Sequence, residues 1–235
     1  MAEPLDTERN KVGDKLKGVL ITFEGIDFAG KTTQIELLIQ ALEEAGLQVL
    51  LVREPGGTLI SEKIRRILLD PTSQEMCAEA ELLLYSASRA QLIWEKVLPA
   101  LEKGQLVICD RFYDSSTAYQ GYGRGLDLGF IAGLNQFAAF GLVPDVTFFL
   151  DLEPEVAAVR QKRRGKAGDR LESSSQEFFV RVQNGYYQIA DDRTRHVIRL
   201  EAQLNPDVLH QQIWNEVKPL IDFHSGVHSG VKRPV

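Results

Sequence analysis

The stretch Gly25-Ile26-Asp27-Phe28-Ala29-Gly30-Lys31-Thr32 constrains this chain more than any other, because it fits the phosphate-loop pattern G-x-x-x-x-G-K-[ST] at every fixed position. The run before it, Gly18-Val19-Leu20-Ile21-Thr22-Phe23-Glu24, is apolar and β-branched and reads as a buried strand. After it, Ile35, Leu38, Ile39 and Leu42 recur at helical spacing up to a stop at Gly46. Strand, glycine loop and helix in that order are what phosphate binding needs. Glycines let the backbone curl its N–H groups inward, and the helix N-terminus favours negative charge. Lys31 is then placed to reach the β- and γ-phosphates, with the Thr32 hydroxyl on Mg²⁺. Residues Gly25 through Thr33 form the expected nucleotide-binding loop.

A chain of 235 residues is long enough to bury a core without staples. Its net charge of -6 argues against nucleic acid as a partner. Cys77 and Cys109 make no disulfide framework or metal spacing and are expected to be buried free thiols. No apolar run reaches membrane-spanning length, and the N-terminus lacks a signal-peptide core, so no membrane association and a cytoplasmic location are expected.

Strand-like and helix-like segments alternate along the chain. Strands are expected at Leu47–Arg53, Gln105–Asp110, Asp145–Asp151 and His196–Leu200, besides the first. Between them lie a helix with Ile60, Ile64, Ile67 and Leu68 on its apolar side, and a long helix over Glu75–Lys103. The long helix is expected to bury Met76, Ala80, Leu83, Ala87, Trp94, Leu98 and Leu101, and to kink at Pro99. A polar, aromatic loop with a short helix is expected over Arg111–Gly125. Helices follow at Leu126–Gly141, from Pro154, over Glu177–Ala190 and over Pro206–Ile221. The fold class is therefore α/β, with five parallel strands and helices on both faces. Residues 1–17 read as a mobile lead-in, 18–222 as one domain with a lid at about 160–175, and 223–235 as a disordered tail.

In such a fold, phosphate sites lie at the carboxyl ends of the strands. Asp110 ends an apolar strand, the place of a metal-organising carboxylate, and Asp151 competes with it for that role. Arg111 follows Asp110, and Arg53 ends a neighbouring strand; two guanidiniums suit bidentate clamping of a phosphate. Tyr85 and Arg89 share a helix face, as do Ser116, Tyr119 and Gln120. On spacing alone a plain surface pair for the first group and a polar loop helix for the second are favoured over a base pocket. Arg160–Arg170 carries six basic residues in eleven and reads as a flap able to close over a triphosphate.

Taken together, these motifs resemble the thymidylate kinases, from Gly18 to about Ile221. The resemblance rests on the phosphate loop, Arg53-Glu54-Pro55-Gly56-Gly57-Thr58, Leu84-Tyr85-Ser86-Ala87-Ser88-Arg89, Asp110-Arg111-Phe112, Ser115-Ser116-Thr117-Ala118-Tyr119-Gln120 and Asp169-Arg170-Leu171-Glu172. It implies a nucleoside monophosphate kinase-like fold, ATP and dTMP as substrates, dTDP and ADP as products, Mg²⁺, and a homodimer. It further implies that Asp27 faces the sugar 3′-hydroxyl, and that Arg53 and Arg111 hold the dTMP phosphate. Tyr85 would stack on thymine, Arg89 would bond the base carbonyl, Ser116 and Gln120 would line the base pocket, and Tyr119 would lie near the 2′ position. Glu54 is given a supporting role.

Two departures from the family pattern matter. Phe28 stands where some members carry a basic loop residue, so the transition-state arginine is expected from the lid, Arg164 first and Arg160 next. Phe112 replaces a residue with a hydrogen-bonding tip, a change expected to be tolerated. No general base is needed, since a phosphate monoester with a second pKa near ~6 is already an anionic nucleophile at neutral pH. Lys31, Mg²⁺, Arg53, Arg111 and the lid arginine would lower the barrier by positioning and by charge. The alternatives are another nucleotide or deoxynucleoside kinase and a nucleotide-dependent switch. A nucleoside kinase needs a carboxylate base in place of the phosphate clamp, and a switch leaves the Tyr85/Arg89 face without a role.

Overall fold

The computed structural model describes residues 16–165 and 169–224, the side chains of Arg164, Phe223 and His224 excepted. Residues 1–15 of the expected lead-in, the tail beyond 224, the centre of the basic segment and the Arg164 side chain thus lie outside the described residues. Five strands, β1 (Val19–Glu24), β2 (Val49–Arg53), β3 (Leu106–Asp110), β4 (Val146–Asp151) and β5 (Val197–Glu201), form one parallel sheet in the order β2-β3-β1-β4-β5. The chain therefore runs from β1 past the place of β3 to β2, returns to β3 between them and then crosses to β4, so β1 is central, with β3 and β4 as its neighbours.

Side-chain alternation on β1 divides the core. Val19, Ile21 and Phe23 face one layer with α1 (Lys31–Glu44), α8 (Gln176–Ala190) and α9 (Pro206–His224). Leu20 faces the other layer with Leu92, Ile93, Val97, Val107 and Phe112. Ile35, Leu38 and Leu42, four or three apart on α1, are buried and each contribute about 1.5–3 kcal/mol of apolar burial. Thr22 Oγ1 and Thr147 Oγ1 lie 2.8 Å apart between β1 and β4, so the buried hydroxyls satisfy each other. Phe112 is buried in the second core layer against Tyr113, which accounts for an apolar ring there.

The expected long helix is broken. α3 (Ala78–Leu92) passes into a π-helical segment, Ile93–Val97, and then α4 (Leu98–Glu102). Pro99 explains this: it has no N–H, and its ring crowds the carbonyl of Glu95 four residues back, inside the π segment. The apolar stripe expected to be buried there is split: Leu98 and Leu101 are buried and Met76 and Ala80 half-buried, but Leu83 is 53% exposed and Trp94 65%, and Ala87 is also exposed. On α2 (Leu59–Leu69), Ile60 and Ile67 likewise face out, and only Leu68 of that side is buried. Thr58 caps α2 as its side chain allows, accepting from Ser61 N at 3.1 Å. Cys77 is exposed rather than buried, because it precedes α3 at its N-terminal cap position; Cys109, in β3, is buried.

The expected loop after β3 is helical instead: α5 (Tyr113–Ser116) continues as a π-helical turn over Thr117–Gly123. Glycines let this turn lie against α8, since a Cβ on Gly123 would come within 2.7 Å of the Phe178 ring. The remaining helices are α6 (Leu128–Ala138), capped by Asp127, and α7 (Pro154–Arg164), which begins at the proline and carries the first half of the basic cluster.

Candidate active site

The phosphate loop leaves β1 at Gly25, where φ is +127° and a Cβ would approach the Leu150 carbonyl oxygen to 2.5 Å. Only glycine fits there. Gly30, with φ +97°, turns the chain into α1. Lys31 is buried at the first helical position, its Nζ donating to Gly25 O at 2.9 Å and Ile26 O at 2.8 Å. Burial, followed by the charge of Arg111, lowers its pKa to about 8, against the opposing pull of Asp27, Asp110 and Glu24. Thr32 and Thr33 are exposed at the same helix start.

Arg111, directly after β3, adopts φ +70°, a left-handed conformation that costs a non-glycine residue about 1 kcal/mol or more. Its own bonds hold it there. The backbone N–H donates to Phe23 O at 2.9 Å, Nη1 donates to Gly25 O at 2.9 Å, and Nη2 donates to Asp27 Oδ1 at 2.8 Å. Further contacts reach Ser115, Tyr186 and Tyr119 at 3.2–3.4 Å. Burial pushes the half-buried Asp27 upward, yet Arg111 and Lys31 outweigh it and hold its carboxyl below the usual range.

Beneath them lies Glu24, the last residue of β1, fully buried. It accepts from Phe112 N at 2.7 Å, Ser115 Oγ at 2.6 Å and Tyr186 OH at 2.9 Å, and so pins α5 and α8 to the sheet edge. Burial, then the charge of Asp114, raises its pKa. Its sequence signal was only a carboxylate ending an apolar strand; partners at 112, 115 and 186 are too remote in the chain to read.

A cavity of about 90 Å³ opens beside the loop, lined by Asp27, Tyr85, Arg111, Ser116, Tyr119 and Gln120 among others. These residues singled out from the sequence thus line one cavity, together with Glu54. Tyr85 is half-buried and Tyr119 and Gln120 are buried, so neither helix face is the solvated surface that spacing allowed. Arg65 of α2 and Asp169 also line the cavity and were missed. Arg65 Nη1 donates to Pro55 O at 2.7 Å. Its signal was its position four residues after the buried Ser61, on the side of α2 away from the apolar stripe.

Arg53 and Arg89 are placed differently. Arg53 does not line the cavity; its side chain is 53% exposed and pairs with Glu62 at 3.2 Å. Arg89 is 1% exposed and braces the site from within. It donates to Glu54 Oε2 at 2.8 Å, Asn135 Oδ1 at 3.0 Å, Ser116 Oγ at 2.9 Å and Phe112 O at 3.3 Å. Burial raises the Glu54 pKa to about 7 although Arg89 opposes it.

The two strand-end aspartates separate clearly. Asp151 is consumed by Arg199 at 2.9 and 2.7 Å, Gln183 at 2.9 Å and Tyr187 OH at 3.0 Å. Asp110 is half-buried, and its charge acts on Lys31. In the basic segment, Arg160 Nη1 donates to Phe28 O at 2.9 Å, joining α7 to the phosphate loop. Arg170 is not part of a solvated face: it is buried, with Nη2 2.6 Å from Glu81 Oε2 and Nε donating to Leu68 O at 2.8 Å.

A phosphate loop at the central strand, a strand-end carboxylate beside its lysine, and an arginine-lined cavity on the same sheet edge define a phosphate-loop kinase of the nucleoside monophosphate kinase type. Residues 23–213 match the family described as thymidylate kinase. The thymidylate kinase of Prosthecochloris aestuarii is 48% identical over 203 residues, covering 83% of this chain and 91% of that one. That of Pelotomaculum thermopropionicum is 44% identical over 207 residues, covering 88% and 96%. The crystal structure of thymidylate kinase from Ehrlichia chaffeensis superposes with a TM-score of 0.69 at 33% identity, over 86% of this chain and 98% of that chain. The chain belongs to the thymidylate kinase family.

Proposed function

We propose that the protein transfers the γ-phosphoryl group of ATP to dTMP, giving dTDP and ADP for dTTP synthesis. The observation that carries this is the Arg111–Asp27 contact, which joins the acceptor cavity to the phosphate loop. Lys31 and the loop N–H groups would hold the donor phosphates, and Arg111 the acceptor phosphate. Arg53 would complete the clamp by exchanging Glu62 for that phosphate. Tyr85 would stack on the base, Ser116 and Gln120 would line its edge with Arg89 bracing them from behind, and Tyr119 would crowd a ribose 2′-hydroxyl. Asp27 would bond the 3′-hydroxyl.

The oxygen-only pair of the exposed Thr32 hydroxyl and the Asp110 carboxylate fits a hard cation that keeps waters and substrate phosphates as its other ligands. Mg²⁺ bound there would neutralise phosphate charge. The segment at about 160–175 acts as the lid, with Arg164 supplying charge to the transferring phosphoryl group and Arg160 tying the lid helix to the loop. Among the described residues, no helix is long and apolar enough to cross a membrane.

Ile60 and Ile67 of α2, Leu83 of α3, Trp94 of the π-helical segment after it, and Phe130 and Phe137 of α6 form a set of large apolar side chains turned outward, and exposed apolar surface of this kind marks interaction sites. We assign it to a homodimer interface centred on α3.

The direct test is transfer from γ-labelled ATP. Labelled dTDP is the expected product. Label released only as inorganic phosphate, or delivered to thymidine but not to dTMP, would contradict the proposal.

A further inference from the structure

We propose that Glu81 fixes which way round the Gln120 amide faces the acceptor cavity, and so selects a pyrimidine that carries hydrogen on N3. The proposal rests on the reading of that cavity as the base pocket. Glu81 lies on α3 and is fully buried, and it does not line the cavity itself. Its Oε1 accepts from Gln120 Nε2 at 2.8 Å and from Arg124 Nε at 3.2 Å. Its Oε2 accepts from Arg124 Nη2 at 3.1 Å and lies 2.6 Å from Arg170 Nη2.

An ionised carboxylate has only acceptor positions. A neighbouring amide can satisfy it from its nitrogen side alone, so chemistry dictates the Gln120 orientation. Burial works against the charge of Glu81, but Arg124, Gln120 and Arg170 more than offset it and hold its pKa below the usual value. Gln120 Oε1 is left with no protein donor among the described residues, at a residue that lines the cavity beside Ser116 and Tyr119. That oxygen therefore offers the base edge an acceptor. Thymine and uracil bring N3–H to such an oxygen. Cytosine brings a lone pair, and two acceptors face each other without a proton between them. A site built to bond an N–H discriminates strongly, because the mismatch leaves buried polar groups unpaired.

Glu81 thus acts through Gln120 as a positioning residue. Glu81→Gln removes the constraint: the new amide can donate to Gln120 Oε1, which frees the Gln120 nitrogen to turn towards the cavity. In this variant the ratio of kcat/KM for dTMP over dCMP should fall about tenfold or more, with the dTMP loss mainly in KM. A purely structural role for Glu81 lowers both acceptors alike, so a folded variant with the parental ratio overturns the proposal. Should Glu81→Gln not fold, the parent protein answers instead, with the Gln120 side-chain amide assigned by its disappearance in Gln120→Leu. A downfield-shifted, slowly exchanging Nε2 proton, unchanged on adding dTMP, is expected; two averaged, rapidly exchanging protons overturn the proposal. A parent enzyme inactive on dTMP refutes the base-pocket reading itself, whereas the amide spectrum still reports the Glu81–Gln120 bond.

Discussion

Arg111 Nη2 donates to Asp27 Oδ1 across 2.8 Å, from the residue just past β3 to the middle of the phosphate loop. The bond ties the phosphate loop to the residue after β3, which in the proposed reaction would couple donor and acceptor binding, and Arg111 keeps a left-handed backbone where it makes it. Lysine retains the charge but not the forked geometry. Arg111→Lys should raise KM for dTMP by roughly 10- to 100-fold, since bidentate recognition of phosphate is lost. Steady-state kinetics at saturating ATP measure this, and an unchanged KM would remove Arg111 from the acceptor site.

Lys31 carries a pH signature. Its pKa is lowered to about 8 in the folded protein from an ordinary 10.5, chiefly by burial. In the free enzyme, kcat/KM for ATP should therefore decline as pH rises above about 8. The stability sign follows from proton counting. Between pH 8 and 10.5 the unfolded chain holds the proton that the folded chain has released, so stability gains with pH in that window. The cost of burying the charged lysine is fully present below pH 8. Lys31→Met should then be more stable than the parent at pH 7 by on the order of 3 kcal/mol, and the gap should close towards pH 10. Denaturant titrations of both proteins at the two pH values check it; activity should be lost throughout.

Arg89 is a brace whose removal should be felt in folding before binding. Taking away one member of a buried pair strands the other, here Glu54, at a cost of about 3–5 kcal/mol. Arg89→Met should lower the denaturation midpoint accordingly. A variant with full stability and only a weakened KM for dTMP would show that base contact outweighs bracing.

The outward apolar surface predicts an oligomeric state. Trp94→Glu places a charge among the outward apolar residues, just past the end of α3, and should convert a dimer to a monomer in sedimentation experiments. A parent protein that sediments as a monomer at micromolar concentration would refute the interface.

For the lid, Arg164→Ala should cut kcat by about 10³-fold with little change in KM, as for other arginines that act on transferring phosphoryl groups. Near-normal turnover would move the role to Arg160 or Arg163.

Strands were legible because parallel strands buried on both faces read as continuous apolar runs, and all five lie within two residues of their expected bounds. The phosphate loop was legible because its glycines are demanded by backbone geometry at Gly25 and Gly30. Apolar stripes on α2 and α3 were legible as stripes, but periodicity does not say whether the covering surface belongs to the same chain. Leu83 and Trp94 show the consequence. Buried charges were the least legible. Arg89, Arg170, Glu24 and Glu81 are stable inside only because partners 23 to 162 residues away meet them, and no local pattern encodes such pairings. The π-helical turn at Thr117–Gly123 was hidden for a related reason: its glycines signal a loop until α8 is seen packed against them.

The most direct test is the initial rate of ADP release from Mg-ATP with dTMP, dUMP, dCMP, AMP, GMP, thymidine or water as acceptor. Strong turnover with dTMP, and little with the nucleoside, the purine monophosphates or water, is the predicted result. Slow release that is the same with every acceptor would contradict phosphoryl transfer to a monophosphate and leave a nucleotide-dependent switch in its place.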